Sequence, residues 1–195
     1  MSPLKIAVLI SGGGTNLQAI IDSIKNGYIN GKIEVVVSNK KEAYGLVRAE
    51  KNNIDNIYIN RKEFSNDIEY NNKIISELKK RNINLVVLAG YLKILSEEFI
   101  DEFENKIINI HPSLIPSFCG KGYYGRKVHE EVLKRGVKIT GATVHYVDKG
   151  TDTGPIIIQE SVRVEDDDDV DSLQKKVLEV EHEILIKAIK IKEES

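Results

Sequence analysis

The sequence predicts an α/β fold, a single domain built on an open, twisted, mostly parallel sheet with helices on both faces. Three observations predict it. Short, almost wholly apolar runs recur without the alternation of a half-solvated strand; segments with helical apolar spacing separate them; and glycine, proline or asparagine marks the junctions. Successive βα units cross over right-handedly, and ligands of such sheets sit beyond the strand ends where the connections change direction.

The first run, residues 5–10 (KIAVLI), reads as a strand ending in Ser11-Gly12-Gly13-Gly14, and residues 16–24 carry Leu17, Ile20, Ile21 and Ile24 at helical spacing. Residues 33–37 (IEVVV) are β-branched between Gly31 and Ser38-Asn39; residues 43–53 are helical in composition, and 57–59 form a third short strand. A charged helical stretch over 63–81, with Ile68, Ile74, Ile75 and Leu78 inward, precedes the most apolar run, 85–89 (LVVLA). Residues 107–110 give another strand, cut off by His111-Pro112, and the glycine- and proline-rich 111–125 region reads as a long functional loop. Strands over 140–147 and 155–164, a loop at 148–154 between them, and a closing amphipathic helix over 172–190 complete the chain.

A length of 195 residues fits one full-sized core, at roughly 100–200 residues per domain. The 28 Lys+Arg against 30 Asp+Glu leave a net charge of −2, so there is no basic surplus to grip a nucleic acid or an anionic membrane. With 41% apolar and 30% charged residues the composition is that of an ordinary soluble globule, and no apolar run nears the roughly 18–20 residues of a membrane span. The start, Met1-Ser2-Pro3-Leu4-Lys5, passes straight into the first strand without the make-up of a secretory signal. The one cysteine, Cys119, supports neither a disulfide nor a thiolate metal cluster. The expected location is the cytoplasm.

Three loops carry candidate chemistry. Ser11-Gly12-Gly13-Gly14-Thr15-Asn16 lies between strand and helix, where backbone amides and a helix N-terminus suit an anion. The spacing matches neither a dinucleotide fingerprint nor a P-loop, so a monophosphate is the fitting ligand; a tight turn that binds nothing uses the same residues. Asn109 and His111 share one strand face, and an amide donor beside an imidazole suits a carbonyl that becomes tetrahedral; a polar sheet rim would have the same composition. Asp148-Lys149-Gly150-Thr151-Asp152-Thr153-Gly154-Pro155 offers two carboxylates. Either could orient the histidine and raise its pKa, or lie in a solvated turn.

The segments KIAVLISGGGTNLQAII (5–21), VVVSNK (35–40), LVVLAGYLKILS (85–96), INIHPSLIPSF (108–118), TGATVHYVDKGTDTGPIIIQ (140–159) and VEHEIL (180–185) together resemble the phosphoribosylglycinamide formyltransferase family. The resemblance covers residues 5–188, and the ordered pair Asn-x-His-Pro-Ser-Leu and Asp-x-Gly-Pro is highly specific. It implies a Rossmann-like formyltransferase fold over residues 1–195, with ribonucleotide phosphate bound in the N-terminal half, and folate binding and catalysis in the C-terminal half. It implies direct formyl transfer from 10-formyltetrahydrofolate, a co-substrate, to the amine of glycinamide ribonucleotide in purine biosynthesis. Neither a metal nor a covalent enzyme intermediate is expected.

On that resemblance Asn109 and His111 match the oxyanion-stabilising pair, with His111 the proton donor, and Asp152 the carboxylate that raises the histidine pKa. Gly13, Gly14, Thr15 and Asn16 match the phosphate cradle, and Glu181 the acidic side chain that holds the substrate. Leu92, Lys93, Ile94, Leu95, Asn109 and Asp148 correspond to the pteridine slot, and His145 to a supporting group. Two departures stand out. Lys93 replaces a common arginine, and Phe64-Ser65-Asn66-Asp67-Ile68-Glu69-Tyr70 lacks the arginine that meets the folate tail, leaving Arg61 or Lys62 to supply it. The stretch from Cys119 to Gly125 lacks a histidine-rich version found in some relatives.

Cys119 stays unassigned, and Glu165-Asp166-Asp167-Asp168-Asp169 reads as a solvated loop whose last acids cap the closing helix. His129 and His182 fall in helical segments and default to surface or packing roles. The competing readings are methionyl-tRNA formyltransferase and formyltetrahydrofolate hydrolase, both of which carry a further domain this sequence lacks, and a non-catalytic nucleotide-binding module, which has no use for Asn109, His111 and Asp152 together. Partners are expected to be small molecules, with oligomeric state open.

Overall fold

In the computed structural model, which describes residues 3–194, the apolar runs become one seven-stranded sheet. Met1, Ser2 and Ser195, part of the domain expected from the sequence, lie outside the described residues. The strands are β1 (Leu4–Ile10), β2 (Gly31–Ser38), β3 (Asn56–Tyr58), β4 (Leu85–Leu88), β5 (Ile107–His111), β6 (Ile139–Tyr146) and β7 (Ile156–Arg163). The helices are α1 (Thr15–Lys25), α2 (Tyr44–Lys51), α3 (Asp67–Lys79), α4 (Glu97–Glu102), α5 (Arg126–Lys134) and α6 (Val170–Glu194). The strand order is β3-β2-β1-β4-β5-β6-β7. Strands β1 to β5 pair in parallel, whereas β5–β6 and β6–β7 are antiparallel. The chain thus walks outward from β1 to β3, returns to the other side of β1, and folds back on itself.

The period of two along each strand divides the core between the two faces. Ile6, Val8 and Ile10 of β1 join Leu17, Ile20 and Ile21 of α1 and Leu173, Val177 and Ile184 of α6 on one face. Ala7 and Leu9 join Tyr70, Ile74 and Leu78 of α3 and Phe99 of α4 on the other. Strands buried on both sides need apolar residues at every position, which is why these runs do not alternate.

The boundaries of several elements shift by one or more residues. The third strand is Asn56–Tyr58, one residue earlier than its apolar pattern suggests, because its pairing to Val36–Ser38 sets the register. The charged 63–81 stretch divides into a 3-10 turn at Arg61–Glu63 and α3, which starts where the Asn66 side chain accepts from the Glu69 N–H at 2.9 Å. Helix α6 is longer at both ends than 172–190, and Asp169 Oδ1 accepts from the Ser172 N–H at 2.8 Å, the capping role expected of the acidic run. Helix α4 has six residues, too few to show a period.

The C-terminal ends of β1, β4 and β5 lie side by side, with the β1 and β5 ends about 10 Å apart across β4 at ordinary strand spacing. Ser11 links the connections that leave β1, β2 and β4. Its Oγ donates to Asn39 Oδ1 at 2.6 Å and accepts from the Leu92 N–H at 2.9 Å. Gly14 opens α1 at φ 70°, and a Cβ there would lie 2.7 Å from the Gly45 Cα of α2. Left-handed strain and backbone overlap together predict that Gly14→Ala loses about 2–5 kcal/mol of stability. Urea unfolding checks this; an unchanged midpoint would show that the loop and α2 are not in rigid contact.

Candidate active site

Two clusters of the expected site residues form at this sheet edge. Asn109 and His111 project from one face of β5, opposite His145 and Thr143 of β6. His145 Nδ1 lies 2.7 Å from the Tyr146 carbonyl, which can only accept, so this nitrogen carries the proton and Nε2 presents a lone pair. Asn109 Nδ2 lies 3.1 Å from that Nε2 and donates to it. The amide is thereby fixed with its nitrogen toward His145, leaving its second N–H for a ligand. His145, expected as a supporting group, lies in hydrogen-bond contact with Asn109.

His111 is held in the same way. Its Nε2 donates to the Phe118 carbonyl at 2.9 Å, and its Nδ1 faces Asp152 Oδ2 at 3.6 Å. The Phe118 carbonyl is set by a pinned loop: Ser113 Oγ donates to the Ser117 carbonyl at 2.6 Å, and Thr143 Oγ1 donates to the Ser113 carbonyl at 2.7 Å. Asp152 reaches the imidazole from the loop between β6 and β7, where it takes φ 59°. The Gly120 N–H donates to its Oδ2 at 2.8 Å, and its Oδ1 stands 3.7 Å from His145 Nε2, beyond hydrogen-bond distance. A Cβ on Gly154 would lie 1.9 Å from the Tyr146 carbonyl, so glycine is what lets this loop close against β6.

The electrostatics correct one expectation. Burial of His111, 4% exposed, outweighs both the Phe118 carbonyl and the Asp152 charge, and its pKa lies below the ordinary imidazole value. The neighbouring carboxylate does not keep it protonated at neutral pH. Burial is also the largest influence on Asp152 and pushes its carboxyl up, but the neighbouring His145 and His111 rings and the Gly120 N–H together outweigh it and hold the pKa below the usual carboxylate value. The free protein therefore presents a neutral imidazole beside an ionised carboxylate.

A cleft of about 300 Å³ opens onto this pair. Leu92, Lys93, Ile94, Leu95, Asn109 and Asp148, the residues matched to the pteridine slot, all line it together with His111 and Asp152. Leu92 and Ile94 are 47% and 73% exposed, an apolar wall offered to solvent. The Asp148 side chain is committed to its own loop, accepting from the Gly150 N–H at 3.1 Å and Thr153 Oγ1 at 2.6 Å. Arg61 is committed too, ion-paired with Asp67 and donating to the Phe64 carbonyl at 2.8 Å, and the basic side chains that line the cleft are Lys93, beside Leu92 and Ile94, Lys121 and Lys149.

At a second cluster Asn16, which follows Gly13, Gly14 and Thr15 at the start of α1, meets Glu181 of α6: Asn16 Nδ2 donates to Glu181 Oε2 at 2.7 Å. Each cluster draws on both halves of the chain, since α1 meets α6 here and the β4–α4 connection lines the cleft above. Burial pushes the Glu181 carboxyl up to about 7 against the Asn16 hydrogen bond, and the buried Asn16 Oδ1 has no partner among the described residues. The unfolded carboxyl titrates near 4.3, so the native state holds the extra proton between that value and about 7, and stability falls as pH rises through this window. Glu181→Gln removes the titration. Its stability relative to the parent is expected to rise by about 2–4 kcal/mol between pH 5 and pH 8.5; a pH-independent difference in urea unfolding would contradict the assignment.

Several cleft residues carried no earlier assignment. Tyr91, Ile100, Lys121, Tyr123, Tyr124 and Val147 line it; the glycines and tyrosines of 119–125 were the visible signal for Lys121, Tyr123 and Tyr124 alone. His129, on α5, is buried, as a packing role requires, and burial, Arg126 and His111 push it down to about 4. Burial and the Asp152 charge push the half-buried Cys119 thiol up, consistent with a passive thiol. Among the described residues, no group of side chains could hold a metal ion and no helix is long and apolar enough to cross a membrane.

Residues 4–189 match the formyl transferase family. The chain is 43% identical over 186 residues to phosphoribosylglycinamide formyltransferase from Haemophilus influenzae, covering 95% of this chain and 85% of that one. It is 42% identical to the human trifunctional purine biosynthetic protein adenosine-3, covering 96% of this chain but spanning only 18% of that much longer protein. The crystal structure of glycinamide ribonucleotide transformylase 1 from Symbiobacterium toebii superposes with a TM-score of 0.94 at 38% identity, over 99% of this chain and 89% of that one. A family match over nearly the full chain and the superposition of the whole fold lead to one conclusion: this chain belongs to the formyl transferase family.

Proposed function

We propose that the chain transfers the formyl group of 10-formyltetrahydrofolate to the amine of glycinamide ribonucleotide, a step of purine biosynthesis carried out in the cytoplasm. The ribonucleotide takes the glycine loop and Glu181, with its phosphate on the loop amides and its sugar hydroxyls toward Asn16 and Glu181. The folate takes the cleft, its pteridine against the apolar Leu92–Leu95 wall and its acidic tail toward Lys93. One observation carries the reading: a neutral imidazole, a free amide N–H and an ionised carboxylate converge where the cleft meets the loop end of the sheet.

Those groups suffice for the chemistry. The substrate amine attacks the formyl carbon, and the second Asn109 N–H donates to the oxyanion that forms. His111 Nε2 is occupied by Phe118, so Nδ1 takes the proton released by the amine. Asp152, 3.6 Å away, stabilises the imidazolium as it appears. The same proton is returned to N10 as the carbon–nitrogen bond breaks, which restores the neutral imidazole and releases tetrahydrofolate. No metal takes part in this scheme. An isotopic label in the formyl group is expected to appear on the ribonucleotide; label recovered only as formate would make the chain a hydrolase.

A further inference from the structure

Arg48 of α2 is absent from every ligand set considered so far, yet it ties down the glycine loop. Its Nε donates to the Gly13 carbonyl at 2.8 Å and its Nη1 to Gln18 Oε1 at 3.2 Å, while the guanidinium lies 5.1 Å from the centre of the Tyr44 ring. The carbonyls on either side are also engaged: the Gly45 N–H donates to Gly12 at 3.1 Å and the Gln18 N–H to Gly14 at 3.0 Å. By contrast, the N–H groups of Gly13, Gly14, Thr15 and Asn16 donate to no acceptor among the described residues. In a planar trans peptide the carbonyl and the following N–H point in opposite directions. Anchoring the carbonyls of Gly12, Gly13 and Gly14 toward α2 and α1 therefore turns the N–H groups of Gly13, Gly14 and Thr15 the other way, as one set.

We propose that Arg48 is the positioning residue of the phosphate cradle, setting affinity for the phosphorylated acceptor by holding the Gly13–Gly14 peptide with its N–H toward the phosphate. The inference rests on the function proposed above, whose phosphate site it explains. A flexible glycine peptide would otherwise rotate freely, and an anion would have to order it on binding. The rigid guanidinium fork spans the loop carbonyl and Gln18 together, which an ammonium point charge does not.

The test compares the parent with Arg48→Ala and Arg48→Lys. The ratio of kcat/KM for glycinamide ribonucleotide to that for the dephosphorylated riboside is expected to fall about 10- to 100-fold in Arg48→Ala, the effect of one lost charge-assisted hydrogen bond. KM for 10-formyltetrahydrofolate is expected to stay within about twofold, since the cleft is untouched. Arg48→Lys recovers only part of the ratio, and it serves as the informative variant if the alanine form fails to fold. An unchanged ratio, or equal losses for both acceptors, would reduce Arg48 to a purely structural contact and overturn the proposal. Calorimetric binding of ribose 5-phosphate separates the two readings. Binding by the parent that weakens in both variants supports the role of Arg48 even if no formyl transfer occurs, whereas equal binding by all three overturns it.

Discussion

His111→Ala is expected to lower kcat by about 10²–10⁴-fold, the range of a lost general acid–base group, with KM for the ribonucleotide changed little. The reason is positional. Nδ1 is the one imidazole nitrogen free to exchange a proton, because Nε2 is held by the Phe118 carbonyl at 2.9 Å, and no other titratable side chain lining the cleft offers a neutral nitrogen at that point. The pH profile carries the sign. Burial holds the pKa below the ordinary imidazole value, so the base form predominates at neutral pH; kcat/KM should be flat there and fall only on the acid side of about 6.5. A profile rising through pH 7 and above as a single imidazole titrates would mean that the carboxylate, not burial, dominates the site. Steady-state kinetics over pH 5–9 decide it.

Asp152→Asn is expected to cost at least about 100-fold in kcat, because the imidazolium then forms in a buried site without its counter-charge. The amide keeps an acceptor for the Gly120 N–H, so the loop stays folded and the loss reports charge rather than shape. Removing an influence that raises the His111 pKa moves the acid limb of kcat/KM to still lower pH. Ribonucleotide binding, measured by calorimetry, should remain, since the Asn16–Glu181 cluster does not touch Asp152. Equal turnover in the variant, or a limb shifted upward, would contradict the role.

The fold was legible because the strands are buried on both faces: Ile6 to Ile10 and Leu85 to Leu88 must be apolar throughout, and that leaves a mark in the sequence. The antiparallel pairing of β6 and β7 left none, since pairing direction depends on partners distant in the chain. The site residues were legible as side chains, and Asn109, His111 and Asp152 do converge. What held them was not. Phe118 supplies a carbonyl, Gly120 an N–H and Gly13 a carbonyl, and every residue type carries those groups. The His111 protonation state escaped for a related reason, being the difference between burial and a nearby charge, and only the charge is written in the sequence. Arg48 shows the same blindness in reverse, its side chain visible but its target a backbone oxygen.

The glycine loop and the cleft, on the proposed function, serve one two-substrate transfer. Release of tetrahydrofolate from 10-formyltetrahydrofolate, followed with and without glycinamide ribonucleotide, tests it most directly. Release is expected only when the ribonucleotide is present, saturating with it; release at the same rate in its absence would mean that the two sites do not serve one transfer.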